Sequence, residues 1–118
     1  MVKFICYTKC GTCQKAKKWL DDNGVEYEFR DIKLDNPTLD ELTEWYKKSG
    51  LPLRKFFNTS GLLYKSLDLK NKLPTMTEDE MLKLLASDGM LVKRPLLVGE
   101  DFVLVGFKED EYGKYLIK

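Results

Sequence analysis

An α/β sandwich on a four-stranded mixed sheet, with a helical segment inserted at about residues 36–90, is the fold this sequence predicts. Three observations predict it. Strand, helix and strand patterns follow one another within about thirty residues, a βαβ unit that should cross over right-handed. Helical periodicity then governs the middle of the chain. Finally, two short apolar runs around Gly99-Glu100-Asp101 read as a β-hairpin, followed by one more short helix.

Each element has its own signal. Val2 to Tyr7 is nearly continuous apolar sequence rich in strand formers, which fits a strand buried on both faces. "TKCGTC" follows as a loop. From Cys13 the spacing turns helical, with Cys13, Ala16, Trp19 and Leu20 on one face and Gly24 as the stop. Residues 25–31 alternate strictly: Val25, Tyr27 and Phe29 face one way, Glu26, Glu28 and Arg30 the other, as in a half-buried strand. "DNPTLDELTEWYKKSG" opens with turn chemistry, carries Leu39, Leu42 and Tyr46 as its apolar stripe and ends at Gly50. "LPLRKFFNTSG" predicts a short helix or irregular piece closed by a polar turn. Thr77 with Glu80 three residues on is a capping-box pattern, and Met81, Leu84 and Leu85 should face inward behind it. In the last helix Tyr112, Tyr115 and Leu116 share a side.

Composition excludes several classes. A chain of 118 residues is the size of one domain, so residues 1–118 are read as a single unit. A hydrophobic content of 43% argues against disorder. Lys and Arg number 20 against 19 Asp and Glu, which gives no bulk attraction to nucleic acid or to a membrane surface. No apolar run approaches the ~20 residues of a membrane span, and "MVKFICY" reads straight into a strand without a signal pattern. The 3 cysteines are too few and too clustered for an extracellular disulfide framework, so a cytoplasmic protein is expected, with monomer the default. With 0 histidines, Ser-His and Cys-His nucleophiles are excluded. The glycines form no phosphate loop, Asp21-Asp22 and "TEDE" read as solvated faces, and Trp19 and Trp45 read as core.

The cysteines carry the chemistry. Cys10 lies in the loop after the first strand and Cys13 in the first turn of the helix, a spacing that lets two sulfurs approach within bonding range. Unpaired N–H groups and the helix dipole favour an anion at that position. The thiolate is the reactive form of cysteine, so such a site lowers the thiol's pKa and activates it. Lys9 should help, Lys15 and Lys17 weakly, and the small residues Gly11 and Thr12 leave room for another chain. The expected division is Cys10 as exposed nucleophile and Cys13 as deeper resolving thiol. A structural zinc site needs about four ligands. This chain offers one pair and a third cysteine, Cys6, whose apolar strand makes it a core residue. No metal and no cofactor is expected.

These residues resemble the ArsC/Spx family of the thioredoxin-fold superfamily. "YTKCGTCQKAKKWLDDNGVEYEFRD", "FNTSG" followed by "YKSLDL", "MLVKRPLLV" and "VGFKEDEY" carry the likeness over nearly the full length. The resemblance implies a thioredoxin-like fold in which Pro95 is cis and faces the cysteine pair, exposing backbone to an extended substrate. On the residues alone, Pro95 would be an ordinary strand-starting proline. Arg94 matches an arginine that holds the oxyanion in arsenate reductases; it could equally be a solvated cation. Those enzymes carry a second arginine where Asn58 aligns and a third near Lys108, so an oxyanion is held poorly here. The likeness implies a small thiol–disulfide oxidoreductase, arsenate reductase-like, recycled by thioredoxin, glutaredoxin or glutathione. The alternative is a redox-sensing Spx-type regulator that binds the RNA polymerase alpha subunit without turnover and without touching nucleic acid itself. Spx proteins continue in a tail beyond the last helix, whereas this sequence ends at Lys118, which favours the enzyme.

Overall fold

The computed structural model describes residues 1–117. Its elements run β1 (Val2–Cys6), α1 (Gly11–Asp22), β2 (Tyr27–Asp31), α2 (Leu39–Ser49), α3 (Leu62–Ser66), α4 (Leu69–Lys72), α5 (Glu78–Ser87), β3 (Leu96–Val98), β4 (Val103–Val105) and α6 (Glu109–Leu116). Short 3-10 turns at Leu53–Phe56, Leu73–Thr75 and Gly89–Leu91 join the middle helices. Lys118, the end of the last predicted segment, lies outside the described residues.

The four strands form one sheet in the order β2-β1-β3-β4. β1 runs parallel to β2, with Val2 opposite Tyr27 and Cys6 opposite Asp31. It runs antiparallel to β3, with Ile5 opposite Leu96, and β3 turns back antiparallel into β4. β1 is therefore a central strand, and it is buried on both faces as its apolar run requires. The pleat divides its side chains. Phe4 and Cys6 join Cys13, Ala16 and Leu20 of α1 and Tyr112 of α6 in one cluster. Ile5 points the other way, into a larger cluster with Leu42, Trp45, Phe56, Leu85, Val92 and Leu96 beneath the inserted helices.

The insert is organised by its caps. Thr38 and Glu41 form a full capping box at the start of α2, and Thr77 and Glu80 form another at α5. Gly50 ends α2 with φ 69°, a left-handed conformation that costs glycine little. Gly89 serves a different purpose: a Cβ there would lie 1.7 Å from the backbone oxygen of Ile32, so the two backbones can touch only without a side chain.

Five expectations about faces need correction. Phe29 is 43% exposed, because β2 is an edge strand covered on that face mainly near its start, where Tyr27 stacks edge-on against Phe4. The opposite face, predicted to be solvated, is covered at Arg30: the guanidinium lies over Trp45 and forks onto Glu41 at 2.6 and 2.8 Å. In α2 the buried pair is Leu42 and Trp45, with Leu39 exposed and Tyr46 at the margin. In α5 it is Leu82 and Leu85, with Met81 and Leu84 half-buried. α2 and α5 pack against each other as well as over the sheet, so Leu82 joins the expected Leu42, Trp45 and Leu85 inside. Tyr115 likewise leaves the core, at 42% exposure, and stacks on Phe102 instead.

Two outcomes follow. The Arg30 fork, aided by the Thr38 cap, holds the Glu41 carboxyl down at about 2, from an ordinary value of 4.5. A depressed carboxyl stabilises the fold above its ordinary value, and that stability is lost as pH falls toward 2. Glu41→Gln should therefore cost about 1–2 kcal/mol at neutral pH, and the difference from wild type should shrink between pH 4.5 and 2 in urea titrations. Gly89→Ala should lower stability by about 2–3 kcal/mol, read as a shift in urea midpoint; a midpoint unchanged from wild type would contradict the close approach to Ile32.

Candidate redox site

β1 delivers its C-terminal end to the start of α1 through a tight turn. The N–H of Cys10 donates to the carbonyl of Tyr7 at 2.9 Å, and Gln14 Nε2 pins the turn by donating to the Thr8 carbonyl at 3.0 Å. Cys10 is then the N-cap of α1, in extended conformation, and Cys13 is the third residue of the helix. The first-turn N–H groups have no intrahelical acceptor, and the first turn carries no acidic side chain to compete for them. In this reduced state Cys10 Sγ makes no capping bond to them.

Exposure divides the thiols. Cys10 is half-buried at the rim, while Cys13 and Cys6 are 1% and 2% exposed. All three are free. Cys13 Sγ lies 3.3 Å from the backbone nitrogen of Tyr7, whose N–H donates to it. Cys13 and Cys6 share one buried cluster, and Cys10 packs against it. A hydrogen bond with Cys6, together with burial, pushes the Cys13 thiol well up. The same bond pulls Cys6 down, against its own burial. The expectation that Cys6 is only a core residue is thus incomplete. It is buried, but on the face that carries the other two sulfurs, and a period-2 count from Phe4 was the signal available for this.

The other predicted residues fall around this centre. Gly11 and Thr12 are exposed, and the space where a Gly11 side chain would sit is open. Pro95 is buried, and the Arg94–Pro95 peptide is cis, as the family likeness implied. Continuing the β1–β3 register by one and two residues sets Pro95 beside Cys6 and Arg94 beside Tyr7. The Arg94 guanidinium lies 5.4 Å from the Tyr7 ring centre, and Lys33 approaches the same ring at 6.0 Å. Arg94 is no solvated cation. Its Nη1 donates to the carbonyls of Met90 and Val92 at 3.3 and 3.4 Å. The Asn58 amide oxygen accepts from Nη1 and Nη2 at 3.2 and 3.3 Å. Its buried Nε has no partner among the described residues. Asn58, the position where a second arginine was sought, is therefore spent on orienting Arg94.

Two other cations are engaged elsewhere. Lys17 is paired with Asp21 at 2.9 Å. Lys108 lines a separate cavity of about 590 Å³ with Lys48, Arg54 and Lys93, between the insert and the hairpin. A second cavity, of about 470 Å³, opens beside Met1, Trp45 and Glu100. None of the three cysteines lines either. No helix among the described residues is long and apolar enough to cross a membrane.

A mixed sheet of this order, with α1 and α6 on one face and an inserted helical segment on the other, is the ArsC-like form of the thioredoxin fold. Residues 6–115 match the ArsC family profile, and the chain belongs to that family. It is 57% identical to the uncharacterised protein YusI of Bacillus subtilis over 109 residues, 92% of each chain. It is 25% identical to the global transcriptional regulator Spx 2 of Bacillus anthracis over 116 residues, 98% of this chain and 87% of that one. Among solved structures, an ArsC-family-related protein from Bacteroides fragilis superposes with a TM-score of 0.94 at 60% identity, covering 96% and 95% of the two chains. A possible arsenate reductase from Streptococcus mutans superposes at 0.85 and 49%, covering 92% of each.

The exposures predict a labelling order. A maleimide should modify Cys10 alone in the native protein and all three cysteines in guanidinium. Mass spectrometry after a short pulse reads this directly, and native modification of Cys13 at the rate of Cys10 would contradict the buried placement.

Proposed function

We propose that the protein is a thiol–disulfide oxidoreductase of the cytoplasm, with Cys10 as nucleophile and Cys13 as resolving thiol. The observation that carries this reading is the pairing of an accessible sulfur at a helix start with a buried one a turn later, packed in the same cluster. Cys10 attacks a substrate disulfide, forming a mixed disulfide and expelling a thiolate. Cys13 then attacks Cys10 Sγ, closing the internal disulfide and releasing the second substrate thiol. The raised pKa of Cys13 keeps it protonated and out of competition for substrate until that step. The Tyr7 N–H, already on its sulfur, stabilises the charge that develops there. Thioredoxin, glutaredoxin or glutathione reopens the disulfide.

Gly11 and Thr12 leave the approach to Cys10 open, and the Arg94–Pro95 segment binds the substrate. The Pro95 carbonyl already accepts from the Gly106 N–H at 2.9 Å, which leaves the Arg94 peptide to pair with an incoming chain. Arg94 can supply charge toward an oxyanion or carboxylate. With Asn58 where a further arginine would stand and Lys108 turned to another cavity, arsenate is the weaker substrate and a disulfide the better one.

A second reading is supported by the likeness to Spx 2 over 98% of the chain. In it, the same cysteines gate binding to the RNA polymerase alpha subunit without turnover. A pull-down with that subunit under reducing and oxidising conditions separates the two, since an oxidoreductase without this role binds in neither.

Reduction of a small disulfide by glutathione or thioredoxin tests the first reading. Cys10→Ser should slow it by about 100-fold or more. Cys13→Ser should accumulate the mixed disulfide, seen as one added substrate thiol in the intact mass. Equal rates for wild type and Cys10→Ser would remove the enzyme claim.

A further inference from the structure

Three sulfurs, not two, meet at the start of α1, and their order is not the order of the chain. Cys13 is the middle one: it shares a buried cluster with Cys6, against which Cys10 packs, and it sits in the first turn of the helix that Cys10 caps. Cys13 Sγ lies 3.3 Å from the nitrogen of the peptide that leaves Cys6, so helix and strand are already in contact through this atom. Thiol–disulfide exchange needs an attacking, a central and a leaving sulfur in sequence. Cys6, Cys13 and Cys10 supply that arrangement within one chain.

We propose that Cys6 is a third redox thiol, which takes over the disulfide from Cys10 by attacking Cys13. The inference rests on the oxidoreductase reading for the first disulfide. The step then needs no further oxidant. The Cys6 thiolate attacks Cys13 Sγ of the Cys10–Cys13 disulfide, the Cys10–Cys13 bond breaks, and Cys10 leaves as a thiolate that takes up the proton Cys6 gave up. The oxidised pair becomes Cys6–Cys13, and Cys10 is again a free thiol at the rim. A second substrate disulfide can then meet Cys10, or a mixed disulfide can be held there while the inner bond stays closed.

The surroundings favour Cys6 as the attacker. In the reduced protein Cys13 holds the Cys6 thiol down against its burial; once Cys13 is in the disulfide it has no proton to donate, and the attack rests on the contact of strand and helix at Cys13 Sγ. Tyr112 adds a second polar group to the same cluster. It is fully buried, and its hydroxyl has no hydrogen-bond partner among the described residues. Burial, and then the charge of Cys13 and Cys6, push its phenol up, so it stays protonated. A buried hydroxyl left unpaired costs stability in a purely structural core. In a pocket that handles sulfur anions it has a use.

Tryptic fragments make the test simple, because Cys6 falls in "FICYTK" and Cys10 and Cys13 fall together in "CGTCQK". The reduced full-length protein is oxidised with one equivalent of glutathione disulfide, quenched in acid, alkylated under denaturing conditions and mapped. Two oxidised species are expected. One is the second fragment closed on itself; the other is the two fragments joined through Cys13, with Cys10 alkylated. As a second readout, iodoacetamide added to the oxidised native protein should label Cys10 in wild type and leave it unlabelled in Cys6→Ser. A map holding only the Cys10–Cys13 species, with Cys10 protected equally in both proteins, overturns the Cys6 proposal and leaves the oxidoreductase reading standing. A Cys6–Cys10 link overturns the central place of Cys13. The absence of any disulfide overturns both readings.

Discussion

The backbone of Tyr7 is the constraint on which the site depends. Its carbonyl accepts the Cys10 N–H and so sets the turn that ends β1. Its N–H donates to Cys13 Sγ and so ties the first turn of α1 to the strand. Its ring receives the Arg94 guanidinium. One residue therefore fixes where both cysteines and the arginine stand. It can do so because β1 is an inner strand of the sheet, paired on both edges and buried on both faces toward its end. A reactive group mounted on such a strand keeps its geometry without support of its own.

The sheet separates two kinds of chemistry. The face under α1 and α6 holds the sulfurs in an apolar pocket, where a buried thiol resists ionising unless something bonds to it. The face under the insert brings Arg94 and Tyr7 to the same end of β1, with Asn58 on the guanidinium. The long helical insert thus acts on the site indirectly: Met90, Val92 and Asn58 hold the guanidinium, and the insert's core holds them.

Much of this was legible in the residues. The apolar run of β1, the capping boxes and glycine stops, and the hairpin turn each state a local rule that the fold obeys. The Cys10–Cys13 spacing at a helix start marked the candidate site. The helical faces were less legible. In α2 and α5 several adjacent apolar residues leave a choice of stripe, and the choice went to Trp45 and Leu82 because those two helices also had to pack on each other. Phe29 failed for a related reason: alternation states that a strand has two faces, not that its sheet position covers them.

The sequence by itself determined the element order, the helix ends and the position of the cysteine pair, because capping, turn chemistry and two-residue spacing act over a few neighbouring residues. Only the tertiary structure decided that Cys6 meets Cys13, that Asn58 serves Arg94, and that Lys108 belongs to another cavity. Those meetings depend on strand register and on which face each helix covers, and no local pattern encodes either; they emerge when the two cores close on opposite sides of β1.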